Sequence, residues 1–71
     1  MFDLMFDFEY VVYRGPYRFT VQCSGNGNTV YMIAVYYYGA FIGGKAGVKV
    51  DQKDTPAIDT LAYAIIDKAM E

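Results

Sequence analysis

The sequence predicts an α+β domain: a small antiparallel sheet of three to four strands, in the order β-β-β-β-α, with one C-terminal helix packed on one face. Three observations carry that prediction. Apolar residues alternate with polar ones from Phe2 to Tyr13, the period of a half-buried strand. Clusters of Gly, Pro and Asn then punctuate short apolar runs, as turns between strands do. Finally, TPAIDTLAYAIIDKAME repeats its apolar residues at helical spacing. A helix after a run of strands covers one face of their sheet, giving two layers. With 71 residues and no linker, repeat or low-complexity stretch, residues 1–71 form a single domain.

The first strand is predicted over 2–13. Phe2, Leu4, Phe6, Phe8, Tyr10 and Val12 share one face, and Asp3, Met5, Asp7, Glu9, Val11 and Tyr13 the other. Acids on the wet face also discourage pairing at an exposed edge. Arg14-Gly15-Pro16-Tyr17 reads as a turn. A second strand over 17–23 points Tyr17, Phe19, Val21 and Cys23 inward and Arg18, Thr20 and Gln22 outward. Ser24 to Asn28 is the clearest hairpin turn, since Gly and Asn tolerate positive φ. The third strand, from about Thr29 to Tyr37, is apolar on both sides: Tyr31, Ile33, Val35 and Tyr37 against Val30, Met32, Ala34 and Tyr36. Such a strand reads as central and covered on both faces. The helix covers one face, and a second subunit is the natural cover for the other. Phe41 and Ile42 open a fourth strand interrupted by Gly43, Gly44 and Gly47, which 46–50 completes. In the helix, Thr55 is the expected N-cap and Pro56 the first helical position. Ile58, Leu61, Ala62, Ile65, Ile66 and Ala69 form the buried stripe, with Thr60, Tyr63, Asp67 and Glu71 pointing away.

Composition narrows the function. One cysteine excludes an internal disulfide, and without histidine it cannot build the usual zinc sets, so no metal or other cofactor is expected. So short a chain, 55% apolar and 18% aromatic, has difficulty hiding its large side chains alone, which favours a homo-oligomer, a dimer first. A net charge of −2 with dispersed basic residues gives no case for duplex nucleic acid. The apolar stretch Val30 to Ile42 is 13 residues, short of the ~20 needed to span a bilayer, so no membrane partner is expected. Acids near the N-terminus, where a secretory signal needs bases, and a free thiol predict a cytoplasmic location.

One segment invites an enzymatic reading. GAFIGGKA, from Gly39 to Ala46, nearly spells the phosphate-binding pattern G-x-x-x-x-G-K-[ST]. That motif works because a strand feeds a turn that opens directly into a helix, whose N-terminus receives the phosphates. Here AGVKVDQKDTP follows, which reads as strand and loop, and Ala46 replaces the hydroxyl that would hold magnesium. A glycine-rich hairpin or bulge is the expectation. Asp3, Asp7 and Glu9 share a face, but same-face strand neighbours ~7 Å apart are far for a shared proton. They read as a solvated face opposite Arg18. Cys23 alternates inward and has no base beside it, so it reads as a buried apolar residue. With no catalytic set, the chain is expected not to be an enzyme.

The tyrosines are the better signal. Residues 36–38 are all Tyr, and consecutive strand residues face opposite ways, so Tyr36 or Tyr38 lies on the face away from Tyr37. Tyrosine offers large, stiff contact area with a polar tip and is enriched at interfaces. The expected function is therefore a non-enzymatic binding module acting through protein–protein interaction. It would occlude or bridge a partner as an inhibitor or adaptor, in the manner of phage-encoded inhibitors of host or defence proteins, which are of this size and style. Tyr36, Tyr38, Met32 and Tyr13 are the candidate partner-binding residues. The alternative is a non-hydrolysing small-ligand or nucleotide binder using the glycine-rich loop 39–47 at a subunit interface. Its residues would be Gly43, Gly44 and Lys45 with Arg14 and Arg18.

Overall fold

The computed structural model describes residues 6–71. Four strands form one antiparallel sheet in sequential order: β1 (Phe6–Arg14), β2 (Tyr17–Asn26), β3 (Thr29–Tyr37) and β4 (Ala40–Asp51). One helix, α1 (Thr55–Ala69), lies across one face. The α+β architecture expected from the sequence is the one observed. The part of the first strand expected before Phe6, with Asp3, lies outside the described residues.

Each hairpin is closed by two residues. Gly15 and Gly27 occupy the first central positions with φ of +61° and +64°, the pattern of a turn whose twist matches that of the strands. The turn expected over 24–28 therefore shrinks to Gly27-Asn28, and Ser24 to Asn26 extend β2. In the third hairpin both central residues are left-handed, Tyr38 at +49° and Gly39 at +85°. An aromatic residue in that region is uncommon, because its Cβ crowds the backbone.

The core lies between sheet and helix. Val12 from β1, Phe19, Val21 and Cys23 from β2, Val30, Ile33 and Val35 from β3 and Val48 from β4 meet Ile58, Ala62 and Ile66. The inward set expected for β2 is found. In β3, a bulge changes the expected alternation. Gly25 pairs with Val30 and Ser24 with Met32, so Tyr31 is the extra residue. One inserted residue turns the strand over, and Val30, not Tyr31, enters the core on the same side as Ile33. The other six residues, Met32 to Tyr37, keep their faces.

The helix also departs from expectation in two details. Asp54, not Thr55, is the N-cap: its carboxylate accepts a 3.3 Å hydrogen bond from Ala57 N. A second turn precedes it, where Lys53 N donates to Asp51 Oδ1 at 2.8 Å, so one Asx turn feeds the next. Of the residues expected to point away, Thr60 and Glu71 are exposed, but Tyr63 and Asp67 instead touch β1. Tyr10 Oη donates to Asp59 Oδ1 at 2.8 Å, Tyr63 Oη to the Tyr13 carbonyl at 3.3 Å, and Arg14 makes a two-pronged bond to Asp67 at 2.9 and 2.7 Å. Arg14 also lies over the Tyr63 ring, 5.2 Å from its centre. Asp59, Tyr63 and Asp67 are four apart, and eight residues of helix rise ~12 Å. Tyr10 to Arg14 in a strand rise ~13 Å. The spacings along helix and strand therefore match, and long side chains bridge to β1 from a helix whose backbone lies over β3 and β4. Tyr63 and Asp67 belong to the sheet-facing side because the flank of a helix on a twisted sheet still reaches the next strand.

Candidate functional site

Strand pairing assigns the residues of the sheet face opposite the helix to four rows. The first is Tyr13 and Arg18, with the Tyr38 turn beside them. The second is Val11, Thr20, Tyr36 and Phe41; the third Glu9, Gln22, Ala34 and Gly44; the fourth Asp7, Ser24, Met32 and Ala46. Among the described residues no element covers this face. Its β1–β2 half is largely polar and its β3–β4 half apolar.

Large side chains of the apolar half stand in solvent: Phe41 is 62% exposed, Met32 47% and Tyr38, at the turn, 77%. Tyr13, on β1, is 62% exposed as well. Phe41 packs edge-on to Tyr36, with ring centres 5.6 Å apart. Its ring also lies across Gly44, where a Cβ would sit 3.4 Å from two ring carbons and 2.8 Å from the Ile33 carbonyl oxygen. Glycine at 44 is thus a consequence of close approach, and it leaves a depression of about 220 Å³ lined by Met32, Ala34, Phe41 and Ala46 among others. A second depression, of about 200 Å³, lies between Arg18, Thr20 and Tyr38. Among the described residues no ion pair or hydrogen bond holds the Arg18 guanidinium. It lies opposite Tyr13, not opposite the carboxylates: Glu9 faces Gln22 and Asp7 faces Ser24. The first-strand acids are therefore displaced along the sheet from the one guanidinium of this face, contrary to the pairing the sequence suggested.

Of the residues singled out for partner binding, Met32 and Tyr36 lie together on the open face. Tyr13 lies there on β1, and Tyr38 borders the face from the β3–β4 turn. Tyr37 points to the helix side, against Phe19 at 5.2 Å between ring centres. Phe41 was missed as a site residue. Sequence alone gives it as a strand opener, and only the pairing Tyr36↔Phe41 puts it beside the tyrosine.

The ligand-binding set is dispersed. The segment 39–47 is a paired strand from Ala40 onward and not a loop. Gly43 lies under the helix, where a Cβ would meet Ile65 Cγ2 at 2.8 Å. Gly44 opens onto the bare face, and Lys45 pairs with core-facing Ile33, on the helix side of the β4 edge. Arg14 is committed to Asp67 on the helix side, and Arg18 is on the opposite face. A further depression, of about 300 Å³, is elsewhere again, between the helix C-terminus and Tyr17, Phe19, Tyr37 and Ile42.

Among the described residues, the two shifted acidities are in or against the core. Burial, and then the hydrogen bond to the Asp59 carboxylate, push the Tyr10 hydroxyl well above its ordinary range. Burial pushes the Cys23 thiol up to about 11, and Asp59 adds to the shift. Both are disposed to stay protonated, the opposite of an activated nucleophile. No helix is long and apolar enough to cross a membrane among the described residues. Comparison with known proteins matches no family model, no curated protein and no solved structure.

Proposed function

We propose that the chain is a non-enzymatic protein-interaction module of the cytosol, working through the open face of its sheet. One observation carries this reading: Met32, Tyr36 and Phe41 form a contiguous, largely apolar surface beside polar residues, on the sheet face opposite the core. Surfaces of that kind are where proteins associate. Tyr36 and Phe41 are strand residues with only two side-chain torsions each, so little ordering entropy is lost when a partner covers them. As an inhibitor or adaptor, the module acts by covering a partner's surface or holding two surfaces together, without chemistry.

A photo-cross-linking phenylalanine analogue placed at position 41 tests this, with the same group at exposed Ala64 on the outer side of α1 as the control. Irradiation in the producing cell should give discrete protein adducts from position 41 and none from position 64. Adducts from both positions alike, or from position 64 alone, overturn the reading.

A further inference from the structure

We infer that the first occupant of the open face is a second copy of this chain, docked face to face about a two-fold axis that crosses the strands between the Tyr36 row and the Ala34 row. The inference rests on the proposal that this face is the interaction surface, and it names the partner and the register.

The open face is complementary to itself. Such an axis reverses the strand direction and lays each strand over its own copy, so the second row of one chain meets the third row of the other. Tyr36 and Phe41 then stand over Ala34 and Gly44, large side chains over small ones, in both directions at once. The first row meets the fourth, and the Tyr38 turn comes over Met32 and Ala46. In the polar half, the same operation brings Arg18 of each chain over Ser24 of the other, with Asp7 and Glu9 on the strand beside it. Both carboxylates are exposed, and among the described residues no ion pair holds Arg18. A single surface thus carries a guanidinium at one end and two carboxylates at the other. That is the arrangement an isologous interface requires, since each contact occurs twice. An axis parallel to the strands keeps the rows in register. It would lay β1 over β4 and β2 over β3, setting the polar half of each face on the apolar half of the other and the β1 carboxylates over Gly44 and Ala46, where no guanidinium answers them.

Size and geometry agree. Facing sheets pack ~10 Å apart, with strand directions ~30° from each other. Four strands and four rows span about 20 by 20 Å. Once side-chain relief is counted, that is on the scale of the ~800 Å² of accessible surface a stable interface buries on each side.

The test is a charge-swap pair read by light scattering behind a sizing column, with circular dichroism to verify folding. The altered side chains are exposed and outside the core, so the fold should survive. Wild type is expected as a dimer. Arg18→Glu alone and Asp7→Lys/Glu9→Lys alone should each weaken it at least tenfold. An equimolar mixture of the two should recover a mixed dimer, because both of its contacts then join opposite charges. A monomeric wild type at 100 μM (about 0.8 mg/ml for an 8.0 kDa chain) overturns the inference and leaves the cross-linking test of the face standing. A dimer that Phe41→Asp breaks, but that neither charge variant touches, keeps the face and overturns this register. A dimer indifferent to Phe41→Asp and to both charge variants overturns the face as well.

Discussion

Tyr38 is held at φ +49° with most of its ring in solvent, which the backbone tolerates only at a cost. The strain can be isolated by comparing Tyr38→Gly with Tyr38→Ala: both lose the ring, but only glycine is at ease there. The glycine variant should be the more stable by about 1 kcal/mol in denaturant unfolding. Equal stabilities would mean the turn relaxes out of the left-handed region. At Gly44 the constraint is contact: a methyl group would come 2.8 Å from the Ile33 carbonyl. Gly44→Ala should cost about 1–3 kcal/mol by overpacking, measured the same way. Cys23 gives a pH dependence. Its folded acidity is pushed up to about 11 from an ordinary 9.0. The unfolded chain therefore loses this proton first as pH rises, so the stability the protonated thiol contributes is whole below pH 9 and drains away through about 11. Cys23→Ala should lower stability at neutral pH but flatten the decline over that window. A decline of unchanged steepness would place its origin elsewhere, as at Tyr10, whose hydroxyl is shifted the same way.

Helix α1 is fixed at both ends by interactions with different visibility in the sequence. Its apolar stripe was legible because helical periodicity is a local property, and Ile58, Ala62 and Ile66 are indeed buried. The cap was misread by one residue, since Asp54 and Thr55 are both good caps and only backbone geometry chooses between them. Asp54→Ala should cost about 1 kcal/mol in thermal unfolding while Thr55→Ala costs little; the reverse order would restore Thr55 to the role. The clamps from Tyr10, Tyr13 and Arg14 to Asp59, Tyr63 and Asp67 span some 50 residues and left no local mark. The Arg14–Asp67 pair is about half exposed on each side. Solvent screening therefore limits it, and Arg14→Ala should cost at most about 1 kcal/mol even with the Tyr63 contact counted. In β3, alternation assigned Met32, Ala34 and Tyr36 to the open face correctly. It failed at Val30 and Tyr31 because a bulge is a property of two strands together. Phe41 failed for the same reason: a cross-strand neighbour is invisible until the register is known.

At the scale of the whole molecule, the site follows from an arithmetic of layers. A four-stranded sheet has two faces, and this chain supplies one helix. The composition announced the imbalance as an excess of aromatic residues, and the structure locates it in the rows around Tyr36 and Phe41. The strand order carries a further consequence, for the chain while it is being made. Every strand pairs with its predecessor through a two-residue turn, so each hairpin can close within microseconds of its own residues becoming available. The helix comes last in the chain. Until α1 docks, a finished sheet has neither face covered, with Val21, Ile33 and Val35 as bare as Met32 and Phe41. Ribosome-tethered chains that end at Asp51, carried clear of the exit tunnel by an unstructured linker, should therefore recruit hydrophobic-binding chaperones strongly, and chains that include α1 on the same linker should not.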